Sequence, residues 1–200
     1  VRADAIRNHE RIVGAAVLAF EEIGPQATLE EIAARANVSV ITVYRRFRSR
    51  DQLVRAVFDH VLTTELQPMT AIHTDDPWQD LTGMLEAVTE VLARRRVIIS
   101  LAHQFVTLAN ESTQLFVQAI EPMLRRAIDA GVVRPELLPR DLTVITVMNL
   151  ATVHPGDPQG EDRRRYLALL IDGLRPSPAT LPPPSPRDFF EPPGADEPSP

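Results

Sequence analysis

The sequence predicts an all-α chain of about nine helices, on three kinds of signal. Apolar residues recur at the 3, 4 and 7 spacing of one helical face, and alternating apolar–polar runs are scarce. Glycine is sparse, at 8 of 200 residues. The periodic stretches are bracketed by start residues (Thr28, Ser39, Ser49, Asp76) and stop residues (Gly24, Asn37, Gly131).

The first helix is predicted over residues 7–23, with Ile12, Ala15, Ala16, Ala19, Phe20 and Ile23 as its apolar stripe. Gly24 ends it and Pro25 prevents continuation. Thr28 and Glu31 form a capping box for a second helix, whose inner face is Leu29, Ile32, Ala33 and Ala36. Asn37 tolerates the left-handed conformation that often stops a helix. Ser39 then caps a third helix that turns Val43 and Phe47 inward and leaves Val40, Thr42, Arg45 and Arg46 outward. Helix, tight turn and a short helix with an Arg-rich outer face make a helix-turn-helix, whose second helix enters the DNA major groove.

Ser49 and Gln52 supply another capping box for a longer helix from Arg50 to about Gln67, ended by Pro68. This helix links the DNA-reading end to the rest of the chain. Asp76-Pro77 starts the next, which runs to Arg94-Arg95-Arg96, a cluster suited to a helix C-terminus. Helices follow over 97–109 and 112–130, the second containing Pro122, which is expected to kink it. The last two, Pro139–His154 and about Arg163–Leu174, are apolar around most of their circumference and need cover beyond one chain. They are expected to meet a symmetry mate in a homodimer. Residues 176–200 hold 10 Pro and read as an extended or disordered tail, with Phe189-Phe190 the one apolar pair in its acidic end.

Three domains are therefore expected: a helix-turn-helix over 1–50, a helical ligand-binding and dimerisation bundle over 51–175, and the tail over 176–200. Net charge is −6, unevenly distributed: residues 1–58 hold 9 Arg against 7 acids, whereas 59–200 hold 12 Arg against 20. The helix-turn-helix end is the one fitted to meet DNA. The chain has no cysteine, no membrane-length apolar run and no signal segment at its polar start, so a cytoplasmic location and no membrane partner are expected. The five His (His9, His60, His73, His103, His154) show no metal-ligand spacing, and no phosphate loop or cysteine nucleophile is present. No enzyme activity, metal or cofactor is expected.

The pattern V-S-x-x-T-V-Y-x-x-F at Val38–Phe47, followed by S-R-D-Q-L at 49–53, resembles the tetracycline-repressor (TetR) family of bacterial transcriptional regulators. The resemblance runs from about Arg11 to Phe58, and the phrase A-I-D-A-G-V-V-R-P-E-L-L-P-R-D-L at 127–142 looks like that family's helix seven to helix eight connection. It implies DNA-backbone contacts from Thr28, Ser39, Thr42, Tyr44 and Arg50, which position the protein without reading sequence. It assigns base reading to Val40, Ile41 and Arg45. Arg45 suits either a bidentate guanine contact or a phosphate, and Val40 or Ile41 suits a thymine methyl. Arg46 stands where His is frequent and keeps a phosphate donor. Ile41 is the main departure, because the family usually has a small residue there.

The expected mechanism is a ligand-responsive repressor that binds a palindromic double-stranded operator as a dimer. A small apolar or amphipathic effector would release it. Trp78, Leu101, His103, Phe105, Phe116, Met123 and Met148 are the candidate effector-lining residues. The alternative is a regulator with no small-molecule effector, controlled by abundance or by a protein partner that grips the tail.

Overall fold

The computed structural model describes residues 2–186 of the chain. Their regular elements are all helical: α1 Arg2–Ile23, α2 Leu29–Arg35, α3 Val40–Arg46, α4 Arg50–Val61, α5 Gln67–Thr70, α6 Pro77–Arg94, α7 Arg96–Gln104, α8 Val106–Asp129, α9 Pro139–Leu150 and α10 Glu161–Asp172. With the single turn α5 set aside, nine helices remain among the described residues.

The chain forms two compact units. One comprises the described residues up to Thr64 together with Arg95–Ser112; the other comprises Glu65–Arg94 and the described residues from Thr113 onward. The first unit thus takes in α7, beyond the helix-turn-helix segment. α7 packs on α1, Arg95 pairs with Glu21 and Arg55 pairs with Glu111, which ties 95–112 to the N-terminal helices.

In the first unit Ile12, Ala16 and Phe20 of α1 close a core with Ile32, Ala33, Val43, Phe47, Leu53, Val54 and Val57. Ile23, expected on the buried stripe, is exposed, because α1 is ending there. Gly24 terminates it at φ 101°. The Ser49–Gln52 box is displaced: Ser49 Oγ accepts from the Gln52 amide at 3.3 Å, but Gln52 Oε1 accepts from the Arg48 amide at 3.1 Å rather than from Ser49.

The helix from Arg50 departs from expectation too. Regular α-helix ends at Val61, and a π-helical turn, Leu62–Leu66, carries the chain into α5. Thr63 and Thr64 bond their hydroxyls back to the carbonyls of Asp59 and His60 at 2.7 and 2.6 Å, and Pro68 lacks an amide donor. Both effects weaken the regular ladder. Pro68 does not end the helical path, because it sits in the first turn of α5, where no donor is needed. Further on, the break falls at Phe105, so α8 starts at Val106 rather than near residue 112. α8 closes with Gly131 at φ 67°, the Val132 amide bonding to Ala127 O at 3.1 Å in a Schellman turn.

In the second unit α6, α9 and α10 pack together. α9 ends at Leu150, not His154, and α10 spans Glu161–Asp172. The all-round apolar reading of α9 is corrected by its burial. Its inward side is Leu142, Thr143, Thr146 and Asn149. Its outward side shows Val147 (49% exposed) and Met148 (54%), and α10 likewise exposes Tyr166 (42%) and Leu169 (64%). The inward polar groups are largely satisfied. Asn149 Nδ2 donates to Arg163 O at 2.9 Å, and the buried Arg163 guanidinium pairs with Glu90 of α6. That guanidinium holds the Glu90 carboxyl below the usual carboxylate range.

The tail also differs from a free segment. From 176 to 186 it is extended and exposed, but hydrogen-bonded along the α8–α9 connection and the first turn of α9. Arg134 Nη1 donates to Ala179 O at 2.6 Å, the Leu181 amide donates to Glu136 Oε1 at 3.0 Å and Arg140 Nη2 donates to Ser185 O at 3.0 Å. Proline-rich chain has few donors of its own, so its carbonyls take donors from arginine. Residues 187–200, including Phe189-Phe190, lie outside the described residues.

Candidate nucleic-acid interface

Local chemistry sets each end of α2 and α3. Thr28 Oγ1 accepts from the Glu31 amide at 3.2 Å while Glu31 Oε2 accepts from the Thr28 amide at 2.8 Å, closing the expected box. At the other end of α2 the Val38 amide bonds to Ala33 O at 3.0 Å and the Asn37 amide to Ala34 O at 3.1 Å. This is a Schellman turn with Asn37 at φ 51° in the left-handed position. Ser39 Oγ then accepts from the Thr42 amide at 3.2 Å and meets Thr42 Oγ1 at 2.8 Å. The turn is therefore hydrogen-bonded to the end of α2 on one side and to the first turn of α3 on the other, which sets the direction of α3.

α3 buries Val43, with Phe47 buried at its C-cap. Outward it presents Ile41 (73% exposed), Tyr44 (50%), Arg45 and Arg46, with Val40 and Thr42 half-buried at the edges. Arg45 and Arg48 have no ion pair among the described residues. Two open guanidiniums beside exposed apolar groups suit a polyanion with methyl groups in its groove.

Arg50 is placed differently from its expected role. It is half-buried, donates to Ala27 O at 2.6 Å and to Pro25 O, and its guanidinium lies 5.4 Å from the Phe20 ring centroid. These contacts clamp the α1–α2 connection onto α4. Thr28 and Ser39 likewise have their hydroxyls engaged in caps. Sequence reasoning passed over Arg48, although it lies in the charge run from Arg45 to Arg50, and it passed over His9, whose ring sits against Phe47 and Arg46.

Residues 12–57 match the model for bacterial regulatory proteins of the tetR family, and residues 76–176 match the model for the SbtR-like transcriptional-regulator C-terminal domain. The chain belongs to the TetR family. It is a DNA-binding transcriptional regulator of that family, with a helix-turn-helix at its N-terminal end. It is 42% identical over 84 residues to the HTH-type transcriptional repressor Rv3405c of Mycobacterium tuberculosis. That match spans 42% of this chain and 43% of the relative, so less than half of each. It is 28% identical over 138 residues to the regulator NfxB of Pseudomonas aeruginosa, covering 66% of this chain and 73% of NfxB. The crystal structure of the TetR regulator SCO0520 from Streptomyces coelicolor superposes with a TM-score of 0.62 at 26% identity, over 84% of this chain and 99% of that one. No helix among the described residues is long and apolar enough to cross a membrane.

This TetR-family chain distributes the expected effector-lining residues between its two units. Leu101, His103 and Phe105 belong to the first; Trp78, Phe116, Met123 and Met148 belong to the second. His103 and Met148 are exposed and are not interior lining, because α7 turns His103 to solvent and α9 turns its polar side inward. Leu101, Phe116 and Met123 are buried, Phe105 is half-buried at the end of α7, and Trp78 carries the Arg175 guanidinium 4.0 Å from its ring centroid. Two polar atoms in the second unit, Thr89 Oγ1 and Asn149 Oδ1, are buried without a hydrogen-bond partner among the described residues. Where the α9–α10 loop meets α10, His154 and Asp157 of the loop and Asp162 of the first turn of α10 bring their ligand-type atoms within 4.8 Å of one another. Their contacts are those of a helix cap: the Asp157 carboxylate accepts the amides of Glu161 at 2.8 Å and Asp162 at 3.0 Å, and His154 Nδ1 accepts that of Gly156 at 3.1 Å.

Proposed function

We propose that the chain is a ligand-responsive repressor that binds a palindromic duplex as a homodimer. The observation that carries this reading is the outward face of α9 and α10, where Val147, Met148, Tyr166 and Leu169 stand exposed while Thr143, Thr146, Asn149 and Arg163 are buried beneath them. An apolar face of that kind is stabilised by a second copy of itself, and a two-fold pair presents two recognition helices to two half-sites. In this reading Arg45, Ile41 and Val40 of α3 meet base edges. Thr28, Ser39, Thr42, Tyr44 and Arg46 line the phosphates, Arg48 joins them, and Arg50 acts through the fold.

The effector of this proposal is amphipathic. Buried Phe116 and Met123 favour an apolar body, and the unpartnered Thr89 hydroxyl and Asn149 carbonyl favour a polar end. It acts only through unequal affinity for the DNA-bound and free states. The physical links it has available are the three places where the chain passes between units: the π-helical turn, the α6–α7 junction and the interior of α8.

Selection of bound molecules from a randomised duplex pool tests the reading. An inverted repeat with half-sites about one helical turn apart is expected. A single unrepeated half-site, or a monomer by light scattering at the same concentration, removes the dimer. Titration of the selected duplex complex with amphipathic compounds tests the effector, whose binding is expected to weaken the complex by about tenfold or more.

A further inference from the structure

We propose that His9 is a positioning residue for duplex binding: its neutral imidazole holds Arg46 so that the outer N–H groups of the guanidinium are left for a DNA phosphate. The proposal rests on the reading that the outer face of α3 meets DNA.

The geometry is specific. Arg46 is the last residue of α3, and its Nε donates to His9 Nδ1 at 3.2 Å. The imidazole is held in turn: it stacks on Phe47 with ring centroids 5.2 Å apart and planes inclined by 29°, and Phe47 is itself buried in the core. α1 therefore supplies a rigid acceptor for the inner nitrogen of a long, exposed side chain. A guanidinium anchored at Nε keeps both Nη groups for bidentate contact, and the rotamer entropy lost on binding a phosphate is reduced beforehand.

The contact needs a lone pair on Nδ1. Burial and the facing Arg46 charge both hold the His9 pKa below the ordinary histidine value, the neighbouring Glu10 opposes this and His60 adds to it. At neutral pH the ring is therefore neutral and accepts at Nδ1, with its proton on Nε2. A protonated ring has no acceptor and faces a second cation.

A phosphate contact is independent of sequence, so a labelled random-sequence duplex is a sufficient probe. Affinity is measured by fluorescence anisotropy at neutral pH across a salt series, on the full chain. Arg46→Ala is expected to flatten the slope of log K against log salt by about 0.9, one phosphate's worth. His9→Leu keeps the apolar packing on Phe47 but removes the acceptor, and is expected to weaken binding about three- to tenfold. In the Arg46→Ala background His9→Leu is expected to do nothing further. His9→Gln, whose Oε1 accepts the same N–H, is expected to restore binding. If His9→Leu weakens binding equally with and without Arg46, or leaves it unchanged while Arg46→Ala flattens the slope, the positioning role alone is overturned. If Arg46→Ala changes neither affinity nor slope, Arg46 does not face DNA and the proposal falls with that reading. Thermal midpoints are taken for every variant, and His9→Met replaces His9→Leu should the latter fail to fold.

Discussion

α3 and α9 are both helices that their own chain leaves half covered, in opposite chemical senses. α3 turns its apolar residues Val43 and Phe47 inward and its arginines outward, as an amphipathic helix does. α9 turns Thr143, Thr146 and Asn149 inward beside Leu142, and Val147 and Met148 outward. The inversion is tolerated because Asn149 Nδ2 donates to the Arg163 carbonyl and the Arg163 guanidinium pairs with Glu90, which links three helices and leaves only the Asn149 Oδ1 of that set without a partner among the described residues. What each helix leaves outside names the chemistry of its partner. Open guanidiniums call for a polyanion, and an aliphatic face over a polar interior calls for another aliphatic face.

The largest expected effect breaks the α9–α10 side of this contrast. In the proposed dimer Met148→Glu with Leu169→Glu would place carboxylates in an apolar contact, a cost of about 3 kcal/mol or more, so the dissociation constant should rise by about 100-fold or more in sedimentation velocity. An unchanged dimer would mean that this face is not the interface. Next, Glu90→Gln leaves the buried Arg163 without its counter-charge. Glu90 is partly solvated, which reduces the cost of breaking the pair to about 2–3 kcal/mol and the fall in thermal midpoint to about 4–12 °C. The sign with pH follows from the depressed carboxyl. The stabilisation is present above the ordinary glutamate value of 4.5 and is lost as pH falls through the lower folded value, so Glu90→Gln should flatten the acid limb of a stability–pH curve.

The α3 side is sharpened by smaller changes. Arg45→Ala should cost about 1–2 kcal/mol and relax preference at particular base pairs, whereas Tyr44→Phe should weaken all duplexes alike. Binding selections on the two variants separate these outcomes, and equal loss on all sequences would move Arg45 to a phosphate. Least of all, Asn37→Ala should cost about 1 kcal/mol in a denaturant melt, because the left-handed position at φ 51° penalises a Cβ without a compensating side chain, while Asn37→Gly should match or slightly exceed the parent.

The α2–turn–α3 segment was legible in the sequence almost residue by residue. Its determinants act over three to six positions: the Thr28–Glu31 box, the left-handed Asn37 and the Ser39 cap. The helix count followed for the same reason, since stop signals are local. The failures share a different cause. The π-helical turn arises where several weak preferences meet around Pro68. The hydrogen bonding of the tail was not legible, because an extended proline-rich run gives no sign that Arg134 and Arg140 lie along it.

The sequence by itself therefore determined most of the helices and the caps around α2 and α3, because these depend on periodicity and on hydrogen bonds between near neighbours, while the resemblance to the family rested on the motif at Val38–Leu53. Tertiary structure alone decided what each charge does. Arg50 and Arg46 both belong to the arginine run that ends α3 and begins α4, yet one clamps the carbonyls of Pro25 and Ala27 while the other rests on His9 at the surface. A guanidinium takes the first acceptors within reach, and those lie 23 to 37 residues away along the chain, brought near only by packing. Which side of α9 faces inward was settled in the same way, by Arg163 and Glu90 meeting from helices far apart in sequence.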